Sequence, residues 1–287
     1  MKRAFHIPVL LRTLATACLL SVATPSVGQI MASPGEQALN ADSVRRAFDE
    51  RPYFGLYKDN YFVFGPAIGQ KITKKNTNVK FQISISQRLT KSVLPGHTYL
   101  YLYYTQKVFW NVLENSMPMT DLNFNPGIGL GKPLFVKNRY IGTAQLCLEH
   151  ESNGRDGDAS RSWNKISFGA NIIIDPMLMV HGKFWIPIVD GQNNKDILDY
   201  SGIYQVGMQM FSRNRRFTGS VTLVKRRGWR LSYNTILELS YRLWKRDNQY
   251  LFMQYYNGYG EGLLDYNKFH SQLRFGIVIK PTLFSDY

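Results

Sequence analysis

The chain has 287 residues, of which 19% are charged, and 35 Lys and Arg against 20 Asp and Glu give it a formal net charge of +15. After the first 29 residues no run of about 18 apolar residues remains, which excludes transmembrane helices there. A mean hydropathy of −0.25 with 14% aromatic residues leaves two all-β classes, a membrane barrel and a secreted soluble sandwich.

Lys2, Arg3 and Arg12, the apolar run Leu14 to Val22, and small residues near Ala23, Ser26 and Gly28 form the pattern of a secretory signal peptide, here residues 1–29. Cys18 lies within it, without the large aliphatic residue three positions upstream that a lipoprotein signal carries. Cys147 alone then remains in the mature chain, so no internal disulfide can form. Removing three cations from +15 leaves +12, because residues 1–29 hold no acid. An exported chain seldom meets nucleic acid, whereas lipopolysaccharide phosphates are an anionic surface that suits it.

Residues 30–57 are polar and lack a strand period, although 41–48 can form a short helix; they read as a periplasmic lead-in to a barrel over 58–287. Twelve strands are predicted, near 60–67, 80–89, 97–110, 122–131, 141–152, 162–173, 177–187, 199–211, 217–227, 230–242, 249–259 and 268–280. The second shows the period best, with Phe81, Ile83 and Ile85 facing lipid and Gln82, Ser84 and Ser86 facing a lumen. Aromatic residues crowd the strand ends, among them Tyr99, Tyr101, Trp110, Trp163, Trp185, Trp229, Trp244, Tyr250 and Tyr259, as an interfacial girdle would, with some left to fill the lumen. Long connections such as 111–121 and 188–198 alternate with short ones such as 174–176 and 212–216, and an aromatic PheSerAspTyr closes the chain. The reading is an all-β, twelve-stranded antiparallel transmembrane β-barrel in a bacterial outer membrane, with its long loops outside.

At the outer end of the fifth strand, His150 and Ser152 are two residues apart, on one face with Cα atoms roughly 6.5 Å apart. Asn164 returns on the sixth strand, where its amide oxygen could hold the imidazole in the tautomer that accepts a proton from Ser152. By spacing alone a His-x-Ser is a common accident in a chain with five histidines, and His97, His181 and His270 read as ordinary interfacial or lumen residues.

The surrounding string is far more specific. HESNGR at 150–155 and SRSWN at 160–164 resemble the active-site signature of the outer-membrane phospholipase A family, His-(Asp/Glu)-Ser-Asn-Gly-Arg followed by Ser-Arg-Ser-Trp-Asn. YTQK at 104–107, NSMP at 115–118 followed by Asn125-Pro126, KFW at 183–185 and YNGYGEGLLDYN at 256–267 extend the resemblance from about residue 58 to the C-terminus.

The resemblance implies an enzyme that hydrolyses acyl esters of glycerophospholipids, of A1/A2 and lysophospholipase type, with Ser152 as nucleophile, His150 as base, Asn164 orienting it and the Gly154 amide as oxyanion donor. It also implies Ca2+ as cofactor, bound by the Arg155 carbonyl, by Ser160 and by the carbonyl of Ser116 from a second subunit. All three fall on the outer rim by strand parity. A further acidic calcium position of the family falls at Asn193, which offers an oxygen without charge; Asp190 and Asp196 are the alternatives nearby. The family's homodimer interface maps onto Ile83, Ile85 and Gln106, the last costly in lipid unless paired. VKRRGWR, on the same rim, suits lipopolysaccharide phosphates or plain solvation. The rival readings are a non-catalytic outer-membrane barrel, channel or structural, and a soluble lipid-binding sandwich; neither needs Ser152.

Overall fold

The computed structural model describes residues 40–189, 191–228, 230–244 and 247–281; residues 1–29, expected to be a signal peptide, and Asp190, Trp229 and the closing PheSerAspTyr lie outside the described residues. Helix α1 (Ala41–Asp49) comes first. The Asn40 side chain caps it by accepting from the Ser43 amide at 2.8 Å, and Ala41, Val44 and Phe48 bury one face. That face meets Tyr99, Tyr101, Phe135 and Tyr140. At the other end the Arg88 guanidinium donates to the carbonyl oxygens of Phe48, Asp49 (3.1 Å) and Arg51 (2.9 Å), satisfying acceptors that a helix C-terminus leaves open.

The strands are β1 (Phe54–Leu56), β2 (Asn60–Pro66), β3 (Thr77–Arg88), β4 (Tyr99–Trp110), β5 (Met119–Val136), β6 (Arg139–Ser152), β7 (Ser162–Asp175), β8 (Leu178–Ile188), β9 (Tyr204–Phe211), β10 (Phe217–Lys225), β11 (Tyr233–Arg242), β12 (Gln249–Gly258) and β13 (His270–Ile279). Each pairs antiparallel with its neighbours, β13 pairs with β2, and β3 pairs with β4 to close the sheet. β1 lies opposite Ile85–Gln87 and β2 opposite Thr77–Gln82, on the same edge of β3, so together they are one interrupted stave and the barrel has twelve. At the break the Asn60 side chain takes over the ladder, donating to the Ser84 carbonyl at 3.1 Å and accepting from the Ser84 amide. Tyr57 turns inward there and stacks on Tyr103 with ring centroids 3.9 Å apart.

All twelve expected strands are present, with several boundaries moved, and β5 runs Met119–Val136 where 122–131 was expected. Pairing begins at Phe54, ahead of the first strand expected from 60. The strand expected over 199–211 starts at Tyr204, because Leu198–Ser201 forms a helical turn, α2, and Ile197 is drawn fully out of solvent against Trp163, Trp185, Leu263 and Tyr266. β11 starts at Tyr233 instead of 230.

The barrel is apolar outside and polar inside. On β13, Phe275, Ile277 and Ile279 are exposed while Gln272 and Arg274 are buried; on β3, Ile83 is half exposed and Ser84 fully buried. In water such an outer wall would be a liability, and in a bilayer it is the ordinary lipid-facing band. Lumen charges meet as ion pairs, Glu261 with Arg274 at 2.6 Å and with Lys80 at 3.1 Å, since a charge removed from water needs an opposite partner. Tyr99, Trp163, Trp185 and Tyr250 are buried, so these expected girdle residues fill the interior, while Trp244 is exposed. Connections 67–76, 111–118, 153–161, 189–203, 226–232 and 259–269 share one rim; the short turns 137–138 and 176–177 lie on the other, where α1 sits.

Candidate active site

Alternation along β6 decides which way the candidate residues face. Leu146 and Leu148 are exposed and Cys147 and Glu149 buried, so the even positions, His150 and Ser152 among them, belong to the outer wall. On β7 Phe168 is exposed while Trp163 and Ser167 are buried, which puts Asn164 on the same wall. His150 and Asn164 are direct cross-strand partners. Asn164 Oδ1 stands 2.8 Å from His150 Nδ1. An amide oxygen can only accept, so the contact places a proton on Nδ1 and leaves Nε2 as the free base of the ring.

Ser152 closes the ladder, opposite Phe124 of β5 and Ser162 of β7. Beyond it the chain enters the 153–161 connection, whose two ends are tied by Asn153. This buried side chain accepts from the Arg161 amide at 2.9 Å and donates to the Ala159 carbonyl at 2.8 Å, while its own amide donates to the Arg161 carbonyl at 3.0 Å. Gly154 has φ +63°, and a Cβ there would lie 3.0 Å from the Phe124 ring, so both backbone and space call for glycine. Arg155 reaches across to the Thr120 carbonyl at 2.6 Å. Asn125 of β5 donates to the His150 carbonyl at 2.8 Å, fixing the backbone under the imidazole.

Arg155 and Ser160 therefore share one connection, and Asn193 joins it by donating to the Gly157 carbonyl at 2.8 Å. Asn194, fully buried, holds the same loop through both backbone groups of Ser162. Ser116 is exposed on the neighbouring connection 111–118 and makes no hydrogen bond to Arg155 or Ser160 among the described residues. Asp196 is engaged by the Tyr266 hydroxyl. Ile83 and Gln106 face each other across β3 and β4, with Ile85 opposite Tyr104, whose hydroxyl donates to Gln106 Oε1 at 3.3 Å. Sequence reasoning passed over Asn125, Asn153 and Asn194. Asn153 had a visible signal in its place inside HESNGR, and Asn125 in its place before Pro126 in the resemblance, but neither was given a role.

The family model described as Phospholipase A1 matches residues 53–279. The chain belongs to the phospholipase A1 family. Phospholipase A1 of Escherichia coli K12 is 30% identical to it over 214 residues, 71% of this chain and 70% of that protein. The outer membrane phospholipase A structure from E. coli superposes with a TM-score of 0.69 at 26% identity, covering 80% of this chain and 99% of that one. That enzyme has also been solved as an active-site mutant with asparagine replaced by alanine. The outer membrane phospholipase of Salmonella typhi, a dimer with bound calcium, gives a TM-score of 0.70 at 26% identity, covering 80% and 94%. This phospholipase A1 relative is thus an outer-membrane β-barrel hydrolase acting on phospholipids.

Proposed function

We propose that the chain hydrolyses acyl esters of glycerophospholipids, at either ester position and in lysophospholipids, with Ser152 as nucleophile, His150 as general base and Asn164 holding the base. The observation that carries this is the 2.8 Å contact between His150 Nδ1 and Asn164 Oδ1 on a lipid-facing wall. Ser152 Oγ bonds to the acyl carbonyl carbon as its proton passes to His150 Nε2. The carbonyl oxygen becomes an oxyanion, with the Gly154 amide as its donor. When the ester C–O bond breaks, His150 returns the proton to the departing alcohol oxygen. Water then gives a proton to His150 and its oxygen to the acyl carbon, releasing the fatty acid and restoring Ser152. Because the triad opens on the outer wall at the long-loop rim, substrate arrives sideways from the outer leaflet without entering the lumen.

Ca2+ fits the donors on this rim. Among the described residues no group of three or more His, Cys, Asp or Glu could hold a metal, whereas the Arg155 carbonyl and Ser160 are oxygen donors of the kind calcium takes. With the carbonyl of the partner subunit's Ser116 they would hold an ion whose charge, when bound, polarises the ester carbonyl. Asn193 spends its Nδ2 on Gly157 and has only Oδ1 to offer, which makes any further cation there weakly held. The Salmonella relative, dimeric and calcium-bound, supports both the ion and a homodimer. Ile83, Ile85 and Gln106 form the proposed interface, where the Gln106 amide nitrogen, which makes no hydrogen bond among the described residues, would find an acceptor.

The test is acyl release from detergent-dispersed phospholipid, with calcium or with chelator. Ser152→Ala and His150→Ala should each abolish turnover, and chelation should suppress the wild type. Full activity in both variants would leave a non-catalytic barrel as the better account.

A further inference from the structure

The wall that carries the triad faces lipid, which offers no hydrogen bonds, and the His150–Asn164 pair lies two pairings from the end of the β6–β7 ladder. Strand ends fray unless something holds them. The residues that alternate with the triad point into the lumen, and they do hold it. Glu151 stands between His150 and Ser152, and Trp163 and Lys165 stand on either side of Asn164. Trp163 Nε1 and Lys165 Nζ both donate to the same oxygen, Glu151 Oε2, each at 3.1 Å. Lys165 also lies over the Trp163 ring, 4.4 Å from its centroid. One residue further in, Glu149, which precedes His150, pairs with Lys183 of β8 at 2.7 Å and accepts from Ser167 of β7. Glu149, Glu151, Trp163, Lys165 and Lys183 line a lumen cavity of about 160 Å³.

We infer that Glu151, with Trp163 and Lys165, is a positioning device for the reaction: a lumen-side clamp that sets the spacing and register of β6 against β7 and thereby holds His150 and Asn164 at hydrogen-bonding distance on the opposite face. In a pleated strand, fixing the residues on both sides of a position fixes that position too, because consecutive Cα atoms are about 3.8 Å apart and point alternately. One carboxylate oxygen joins the residue between base and nucleophile to both neighbours of the orienting amide. The outer wall can then be bare to substrate while its geometry is held from behind. The inference rests on the Ser152–His150–Asn164 reading.

The experiment compares Glu151→Gln with Lys80→Gln in the refolded, detergent-solubilised full-length protein. Glu151→Gln removes the charge that Lys165 meets behind the triad, and Lys80→Gln breaks a different lumen ion pair, between β3 and Glu261 of the 259–269 connection. Glu151→Gln should lower kcat roughly ten- to a hundredfold with KM within about twofold, since a shift on the order of 1 Å in a reacting pair costs that much. Lys80→Gln should leave kcat within about twofold even where it lowers the melting temperature. The pair Glu151→Asp with Lys165→Arg, a shorter acid met by a longer base, should recover kcat to within about threefold of wild type. If Glu151→Gln does not assemble, Lys165→Gln serves in its place with the same expected split. Wild-type kcat in Glu151→Gln, or an equal fall in Lys80→Gln, would overturn the clamp. Ser152→Ala run alongside separates the two levels: an inert Ser152→Ala with an unimpaired Glu151→Gln removes the clamp alone, and an active Ser152→Ala removes the triad and the clamp with it.

Discussion

The two faces of β6 and β7 hold opposite kinds of side chain for opposite reasons. Facing outward are Leu146, Leu148, His150 and Ser152, with Asn164 and Phe168 beside them: a greasy wall that turns polar only at its rim. Facing inward are Glu149 and Ser167, buried, and Glu151 and Lys165, partly buried, all cross-linked by ion pairs and hydrogen bonds. In a soluble enzyme the catalytic groups sit in the concave interior and the surface is inert. In the proposed mechanism the lumen is structural and the convex surface does the chemistry, because the substrate is the solvent of that surface. Polar groups on the wall are therefore informative, and polar groups in the lumen are ordinary.

Substitutions on the two faces should accordingly fail in different ways. The largest effect is expected at the nucleophile and base. Ser152→Ala and His150→Ala should each lower kcat by a thousandfold or more, on the order seen when a triad member is lost, while the barrel keeps its folded, heat-modifiable mobility on gels. Asn164→Ala should cost on the order of a hundredfold, less than the nucleophile, because a neutral amide supplies orientation without the charge that a carboxylate would add. Kinetics of the purified variants at saturating substrate check both.

Away from the Glu151 clamp, the lumen should answer through stability. Burial raises the Glu261 carboxyl, but Arg274 and Lys80 overcome it and hold the group well below the usual carboxylate range. A carboxylate depressed in the folded state contributes stability in full above its unfolded value of about 4.3, and loses it as pH falls through the folded value. Thermal unfolding of the wild type should thus be insensitive to this group at neutral pH and weaken only in strong acid. Glu261→Gln, which strands two buried cations, should cost about 3–5 kcal/mol at neutral pH and flatten that acid dependence. Its kcat should change little. The smallest effect belongs to the outer wall away from the triad: Gln106→Ala should shift the protein toward monomer on sizing in detergent and leave the fold intact.

Much of this was legible beforehand. Period two fixed the strands and their facing, as Ile83 and Ser84 show, and the string HESNGR supplied the family. Asn164 could be placed opposite His150 because an antiparallel pair with a known loop leaves few registers. What stayed hidden depends on long-range contact. Nothing local distinguishes Asp199–Ser201 from the start of a strand; they join a helical turn beside Ile197, which packs against Trp163, Trp185 and Leu263 in the barrel mouth. Trp163 and Trp185 resemble girdle residues by position along the chain and are interior by parity. Asn194 looks like any asparagine until the fold brings the Ser162 backbone to it, and Asn125, though part of the resemblance, shows its role only once the His150 carbonyl is beside it. The outer-wall placement of the site was within reach, since Leu146 and Leu148 already set the parity of His150 and Ser152.

The central claim is that Ser152, activated by a His150 held by Asn164, reacts on the lipid-facing wall. The most direct measurement is labelling of the folded protein with a lipid-like fluorophosphonate, followed by mass-spectrometric mapping of the modified peptide. The account predicts a single adduct on Ser152, formed at a rate that falls with His150→Ala and Asn164→Ala in the same order as kcat. An adduct elsewhere, or labelling of Ser152 at an unchanged rate in His150→Ala, would contradict it.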